Sequence, residues 1–309
     1  MNCLFVYADT PKELNCSLFD CYFPALAINK IGNGNAASVM FLDDFVKNNE
    51  ETQRIATAAD IIIVERNLFG DTLTMMQYWK SRNKSVAVIF DDGYHCMHEA
   101  NVSYDFWENS TIMGQDEKGQ PKKLSVVPPI LTQFKWGLKM AKGIICPSQV
   151  LCDHWSYLNK TYRTWNYLNL DRYVNSTPLY PHDDIVIGWP GSMSHLASFN
   201  DSGIAGALVY VTRKYPNVRI MIGGDKRVYD RIHLPESKKF FSNYVPEDKW
   251  SQLLASIDIG LAPLAGEYDT CRSWIKGLEY MAMKIPWIAS DYPTYAELKE
   301  YGTLTANGL

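Results

Sequence analysis

The sequence predicts an α/β protein built of two Rossmann-like domains. Short apolar runs alternate with helix-length polar stretches in both halves, the pattern of buried parallel strands joined by crossover helices. The alternation breaks once, in the Pro-, His-, Asn- and Asp-rich segment 175–184, and then restarts. At 309 residues the chain is long enough for two full cores. The expected organisation is therefore a first domain over 1–174, a linker over 175–184 and a second domain over 185–309.

Composition narrows the class. Apolar residues make up 47% and charged residues 21%, with no low-complexity tract, which is globular usage. No run of 18 apolar residues offers a membrane span, and the start Met1-Asn-Cys-Leu-Phe-Val-Tyr has no basic region ahead of it. A cytoplasmic protein is expected. The net charge of −4 gives no general attraction for nucleic acid. Seven scattered cysteines without Cys-x-x-Cys spacing read as reduced thiols rather than a disulfide frame or zinc site.

In the first half, Cys3–Tyr7, Ser38–Phe41, Ile61–Val64, Val86–Phe90 and Ile144–Cys146 read as buried strands. Ligands of open parallel sheets sit at the C-terminal strand ends, here Asp9-Thr10, Glu65-Arg66 and Asp91-Asp92-Gly93-Tyr94-His95. The last group could bind hydroxyls, polarise an oxygen or simply turn the chain. Residues 97–130 read as a long loop. Leu131–Lys142 reads as a helix with Lys135, Lys139 and Lys142 on one face. That stripe suits an anionic membrane surface or polynucleotide, or else it is a solvated face over a core holding Phe134 and Trp136.

In the second half, Ile185–Gly188 reads as a strand, Trp189–His195 as a loop, and about 196–215 as one helix. Val218–Ile222 is the next strand, ending in Gly223-Gly224-Asp225-Lys226-Arg227. A short strand over Ser242–Val245 precedes an amphipathic helix, Glu247–Ser256. The apolar run Ile257–Pro263 leads to Glu267-Tyr-Asp269-Thr-Cys271-Arg272-Ser273, read as the mouth of a helix running to Ala282, and Ile285–Ser290 as the strand after it. With Asp269 or Thr270 as cap, the N–H groups of Cys271, Arg272 and Ser273 point outward and, with Arg272, can seat a diphosphate. Glu279 lies about two turns beyond Arg272 on the same face. A capped surface helix with Glu279 as a solvated charge is the plain alternative. No Gly-x-Gly-x-x-Gly follows any strand, which disfavours a dinucleotide enzyme.

Pro263, Leu264, Arg272, Ser273, Lys276, Glu279, Tyr280, Met281, Ala282 and Pro286 stand in an order that resembles the donor-sugar segment of retaining GT-B glycosyltransferases, the glycosyltransferase family 4 group, in its bacterial and phage variant. The Gly188–His195 loop resembles the first donor-domain loop of that family, Asp91-Asp92 with Tyr94 its acceptor-side loop, and Asn166–Tyr173 the segment entering its linker. The resemblance implies two Rossmann-like domains facing a cleft and transfer of a hexose-type sugar, with retention, from a nucleoside-diphosphate sugar to a hydroxyl. It places the donor on Gly191, Ser192, His195, Gly224, Lys226, Arg227, Cys271, Arg272, Ser273, Lys276 and Glu279, with Glu279 on the ribose. Asp92, His95 and Asp269 are the expected catalytic groups. No Asp-x-Asp flanked by strand ends occurs, so neither a metal nor a cofactor beyond the donor substrate is expected.

Three departures qualify the resemblance. No cation stands in Trp189–His195, so Lys226, Arg227, Arg272 or Lys276 must neutralise the leaving diphosphate. The first of two glutamates usually spaced eight apart is replaced by Cys271, leaving Asp269 or Glu267 to substitute. The chain stops at Leu309, where relatives continue through further helices, which reads as a compact or truncated member. The acceptor is open: a saccharide, a lipid-linked sugar, with a peripheral membrane contact through Lys135, Lys139 and Lys142, or a modified DNA base as for some phage enzymes. A non-catalytic nucleotide-sugar-binding protein is the alternative from another class.

Overall fold

The apolar runs do become buried strands. In a computed structural model, described here for residues 1–306, β1 (Asn2–Tyr7), β2 (Ala36–Phe41), β3 (Ile61–Glu65) and β4 (Ser85–Ile89) form one sheet with β7 (Ile144–Cys146) and β8 (Thr161–Arg163). β5 (Thr111–Gln115) and β6 (Pro121–Ser125) form a separate antiparallel hairpin. The sheet order is β2-β1-β3-β4-β7-β8, every pair parallel. Leu4, Val6, Ile62, Val64 and Val88 are fully buried. Covering both faces of a parallel sheet demands such side chains at consecutive positions.

The second sheet holds β9 (Ile185–Gly191), β10 (Val218–Gly224), β11 (Lys239–Ser242), β12 (Ile259–Ala262), β13 (Trp287–Ser290) and β14 (Thr303–Thr305). Its order is β11-β10-β9-β12-β13-β14, again all parallel. Numbered within the unit this is 3-2-1-4-5-6, the doubly wound order whose chain direction reverses between β9 and β12. The first sheet reverses between β1 and β3. Such reversals open a crevice at the C-terminal strand ends, where loops diverge to opposite faces. Trp189 and Phe199 pack on one face of the second sheet, Tyr280, Trp287 and Tyr295 on the other.

The chain divides into two compact units. One comprises Met1–His95, Asp105–Tyr167 and Cys271–Ser273; the other comprises Cys96–Tyr104, Leu168–Thr270 and Trp274–Leu309, its last three residues lying outside the described part.

Several local expectations are corrected. The stretch read as a long loop over 97–130 contains the β5–β6 hairpin and the short Tyr104–Trp107 helix, because Thr111–Gln115 and Pro121–Ser125 flank an Asp116–Gly119 turn closed by backbone bonds. The helix expected over 196–215 is two helices, Leu196–Asp201 and Ile204–Lys214, broken at Gly203, which takes φ +76. The strand read at Ser242–Val245 lies earlier, at Lys239–Ser242, where it pairs with Ile220–Gly223. The lysine helix spans Ile130–Met140, so Lys142 is not on it. Phe134 is buried as the core reading required, but Trp136 is 48% exposed. Among the described residues, no helix is long and apolar enough to cross a membrane.

Candidate functional site

The helix of the family-like segment begins at Ile275, not at Cys271: Tyr268–Cys271 forms a 3-10 turn and Trp274 occupies the N-cap without a side-chain cap. Neither expected cap serves. Asp269, 1% exposed, accepts the Ala265 N–H at 2.7 Å through Oδ2, and its carbonyl accepts the Thr294 hydroxyl at 3.0 Å. Thr270 Oγ1 donates to the Glu267 carbonyl at 2.6 Å. The Asp269 carboxylate instead closes a local turn on Ala265, four residues back, a backbone bond that competes with helix capping. The buried Cys271 gives its carbonyl to Ser148 Oγ at 3.0 Å, and Arg272 is 9% exposed. The helix-entry amides are thus those near Ile275 and Lys276.

Other predicted donor residues do gather at the C-terminal ends of the second sheet. Gly224 is in register with Gly191, and Gly223 with Pro190. The strand runs through Trp189–Gly191, longer than the sequence showed, because these residues pair with Ile222–Gly224. The Lys276 ammonium donates to the Pro190 carbonyl and lies 5.8 Å from the Trp189 ring. Ser192 and Ser194 hydroxyls meet at 2.7 Å, and the His195 ring is 6.1 Å from that of Trp189. Among the candidate cations, Lys226 pairs with Asp230 at 3.1 Å and Arg227 with the buried Asp225 at 2.7 Å. Arg227 also donates to the Met193 carbonyl at 3.2 Å. A pocket of about 390 Å³ in the same unit is lined by Ser194, Ser198, Glu267 and Asp269, together with Cys96 and His98. It borders the loops after β9 and β12, the strands between which the sheet reverses.

Glu279 is 6% exposed, not a solvated charge. Tyr173 Oη donates to its Oε1 at 3.0 Å and the Trp250 indole N–H donates to the same atom at 2.7 Å. Burial pushes its carboxyl above the ordinary value, while Lys276, one turn earlier, and the two hydrogen bonds pull it back down. Neither partner was singled out from sequence. Tyr173 closes the Asn166–Tyr173 motif, and that position was the available signal.

The first unit holds a second polar centre, at its own reversal point. Glu65, fully buried, accepts the Ala8 N–H at 2.8 Å and the Ser17 hydroxyl, and pairs with Arg66, which also pairs with Asp9. Asp20 rides a π-helical turn, Leu18–Tyr22; it is 1% exposed and neither oxygen has a hydrogen-bond partner. Burial, with Asp91, Glu65 and Asp92 nearby, pushes its carboxyl well up. Asp91 is pushed up to about 7 by burial and by Asp92. An acid inside the apolar run Leu18-Phe-Asp20-Cys-Tyr-Phe was the signal that sequence reading missed. Asp92 is half-buried. His95 stacks on His154 with ring centroids 3.5 Å apart, and burial followed by His154 lowers its pKa to about 4, so it is a neutral imidazole near pH 7.

No family model matches the sequence, and no curated protein does either. Solved structures do match. TarM of S. aureus, solved with fondaparinux, alpha-GlcNAc-glycerol and UDP, aligns with TM-score 0.52 at 13% identity over 80% of this chain. The chain spans only 45% of TarM's length. Sucrose-phosphate synthase from Thermosynechococcus elongatus aligns with TM-score 0.54 at 12% identity, over 100% of this chain and 86% of that one. UDP-GlcNAc 2-epimerase from Methanocaldococcus jannaschii gives 0.51 at 12% identity, over 100% and 89%. At such identities the likeness is one of fold. Two α/β units, each on a wholly parallel six-stranded sheet, give this chain the GT-B fold of these neighbours.

Proposed function

We propose that the protein transfers a sugar from a nucleoside-diphosphate donor to a hydroxyl acceptor, with retention and without a metal. The observation that carries this reading is one helix in the second unit. Lys276 is held on the Pro190 carbonyl beside the Gly191–Gly224 strand ends, and one turn later Glu279 is buried with its carboxylate oriented. A cation next to tight strand ends suits a diphosphate, and a carboxylate one turn away suits the vicinal hydroxyls of the adjoining ribose. Lys276, with the backbone of Gly191, Ser192, Gly224 and the helix entry, would stabilise charge building on the departing diphosphate. Asp92 and His95 keep an acceptor-side part in the first unit. Asp269, given its bonds to Ala265 and Thr294, acts by shaping its loop.

A second reading, a nucleotide-sugar-binding protein without transferase activity, is favoured by one observation. The position of the first family glutamate is Cys271, a buried side chain with its carbonyl tied to Ser148. Incubation with UDP-, GDP-, CDP- and ADP-sugars, followed by proton NMR of the anomeric region, separates the two. Release of the free nucleoside diphosphate with a retained anomeric configuration supports transfer. Binding without turnover supports the second reading, and an epimerised sugar still attached to nucleotide contradicts both.

A further inference from the structure

Glu279 carries two hydrogen bonds on one oxygen and none on the other. Oε1 receives both Tyr173 Oη at 3.0 Å and Trp250 Nε1 at 2.7 Å. No hydrogen bond among the described residues reaches Oε2, and Glu279 is not among the groups with a fully enclosed unsatisfied oxygen. The two donors come from distant stretches, 106 and 29 residues away, so their convergence on one atom is a product of the tertiary fold. Tyr173 and Trp250 also line a cleft of about 540 Å³, rimmed by the Arg172–Glu247 ion pair at 2.6 Å.

We infer that Tyr173 and Trp250 are positioning residues that fix the Glu279 carboxylate plane, so that Oε2 alone is presented to the ribose diol of a bound nucleoside diphosphate. The inference rests on the function proposed above. A glutamate rotates freely about its last bond; two donors on one oxygen remove that freedom before a ligand arrives, and preorganisation of this kind is felt as affinity. The donors also favour the ionised form, the better acceptor for two hydroxyls. The arrangement discriminates by what it leaves unpaired. A 2′-deoxynucleotide offers one hydroxyl fewer to a carboxylate that is already held in place and partly desolvated.

The test is calorimetric titration of the full chain with UDP, GDP, CDP and ADP and with the 2′-deoxy form of each. Wild type should bind its preferred ribonucleotide about tenfold or more tighter than the deoxy counterpart. Tyr173→Phe keeps the ring and removes the donor; Trp250→Phe removes the indole N–H. In both, the ribo-to-deoxy ratio should collapse toward one while deoxynucleotide affinity stays within about twofold. A merely structural role would weaken both ligand series together and leave the ratio intact, which would overturn the inference. So would a wild-type protein that binds ribo and deoxy forms equally. If Glu279→Gln loses the preference but both positioning variants keep it, the positioning role falls and the proposed function stands. If no nucleoside diphosphate binds at all, both fall.

Discussion

Gly224 stands so close to Gly191 that a Cβ placed on it would lie 2.3 Å from the Gly191 carbonyl oxygen. Gly224 also takes φ +90, a conformation that L side chains rarely adopt. The obstruction is backbone, so no side-chain adjustment relieves it. Gly224→Ala should therefore destabilise the second unit by at least ~2 kcal/mol, read as a lowered urea midpoint. A midpoint equal to wild type would show that the strand ends separate freely. The glycine thus has a structural reason to be present whether or not a phosphate approaches it.

Removing the Glu279 side chain should cost stability as well as ligand. Glu279→Ala leaves the Tyr173 hydroxyl and Trp250 N–H without their acceptor, at roughly 1–3 kcal/mol. Glu279→Gln retains an oxygen for them and should cost clearly less. Thermal unfolding of the two variants beside wild type checks the order; equal losses would mean that the two donors find other acceptors.

Lys276 is the cation to which the account gives the diphosphate. Lys276→Met keeps an unbranched side chain of similar length and removes the charge that stands 5.8 Å from the Trp189 ring. Turnover should fall roughly tenfold to a thousandfold. Lys226→Met, which loses a cation already matched by Asp230 on the surface, should change turnover by less than about threefold. The reverse ranking would move the diphosphate seat to the Gly224–Arg227 loop.

The acidic centre of the first unit predicts a pH signature. Asp91 keeps its proton to about pH 7 in the folded chain, against 3.8 for an ordinary aspartate. Between those values the folded state binds more protons than the unfolded one, so stability falls as pH rises, and the loss is complete above about 7. Asp91→Asn cannot titrate. Its melting temperature should therefore gain on wild type from pH 4 to 7, a difference corresponding to ~4 kcal/mol at most, and the gap should then stay level. Asp20, Glu65, Asp92, Arg66 and Cys16 surround the group and set its value. A gap independent of pH would contradict the assignment.

His95 runs the other way. Its pKa is lowered to about 4, so the unfolded chain takes up a proton near 6.5 that the folded chain refuses. Its contribution is intact above 6.5 and lost as pH falls toward 4. Nitrogen-15 NMR of the imidazole should give a midpoint near 4. A midpoint near 6.5 would mean that the ring stacked on His154 is hydrated.

Much of this architecture was legible in the residues. Leu4, Val6, Ile62 and Val88 lie in apolar runs too short for helices, and strands buried on both faces follow from that. Helical spacing had tied Glu279 to Arg272, but the helix starts at Ile275, so the cation that shares it with Glu279 is Lys276, one turn before it. The helix start was not legible, because Asp269 had two acceptable bonds and the sequence does not say that Ala265 would be nearer than the helix amides. The partners of Glu279 were hidden for a different reason: Tyr173 reaches it only after a whole sheet has folded in between. Asp20 is a single acid in an apolar run, and only the packing shows that its oxygens go unpartnered.

The claim on which the account turns is that the second unit grips a nucleoside diphosphate through Lys276 and Glu279. Calorimetric titration of wild type, Lys276→Met and Glu279→Gln with UDP, GDP, CDP and ADP tests it most directly. Wild type should bind at least one of the four in the micromolar range, and each variant about tenfold or more weaker. Absence of binding by wild type, or equal affinity in all three proteins, would contradict it.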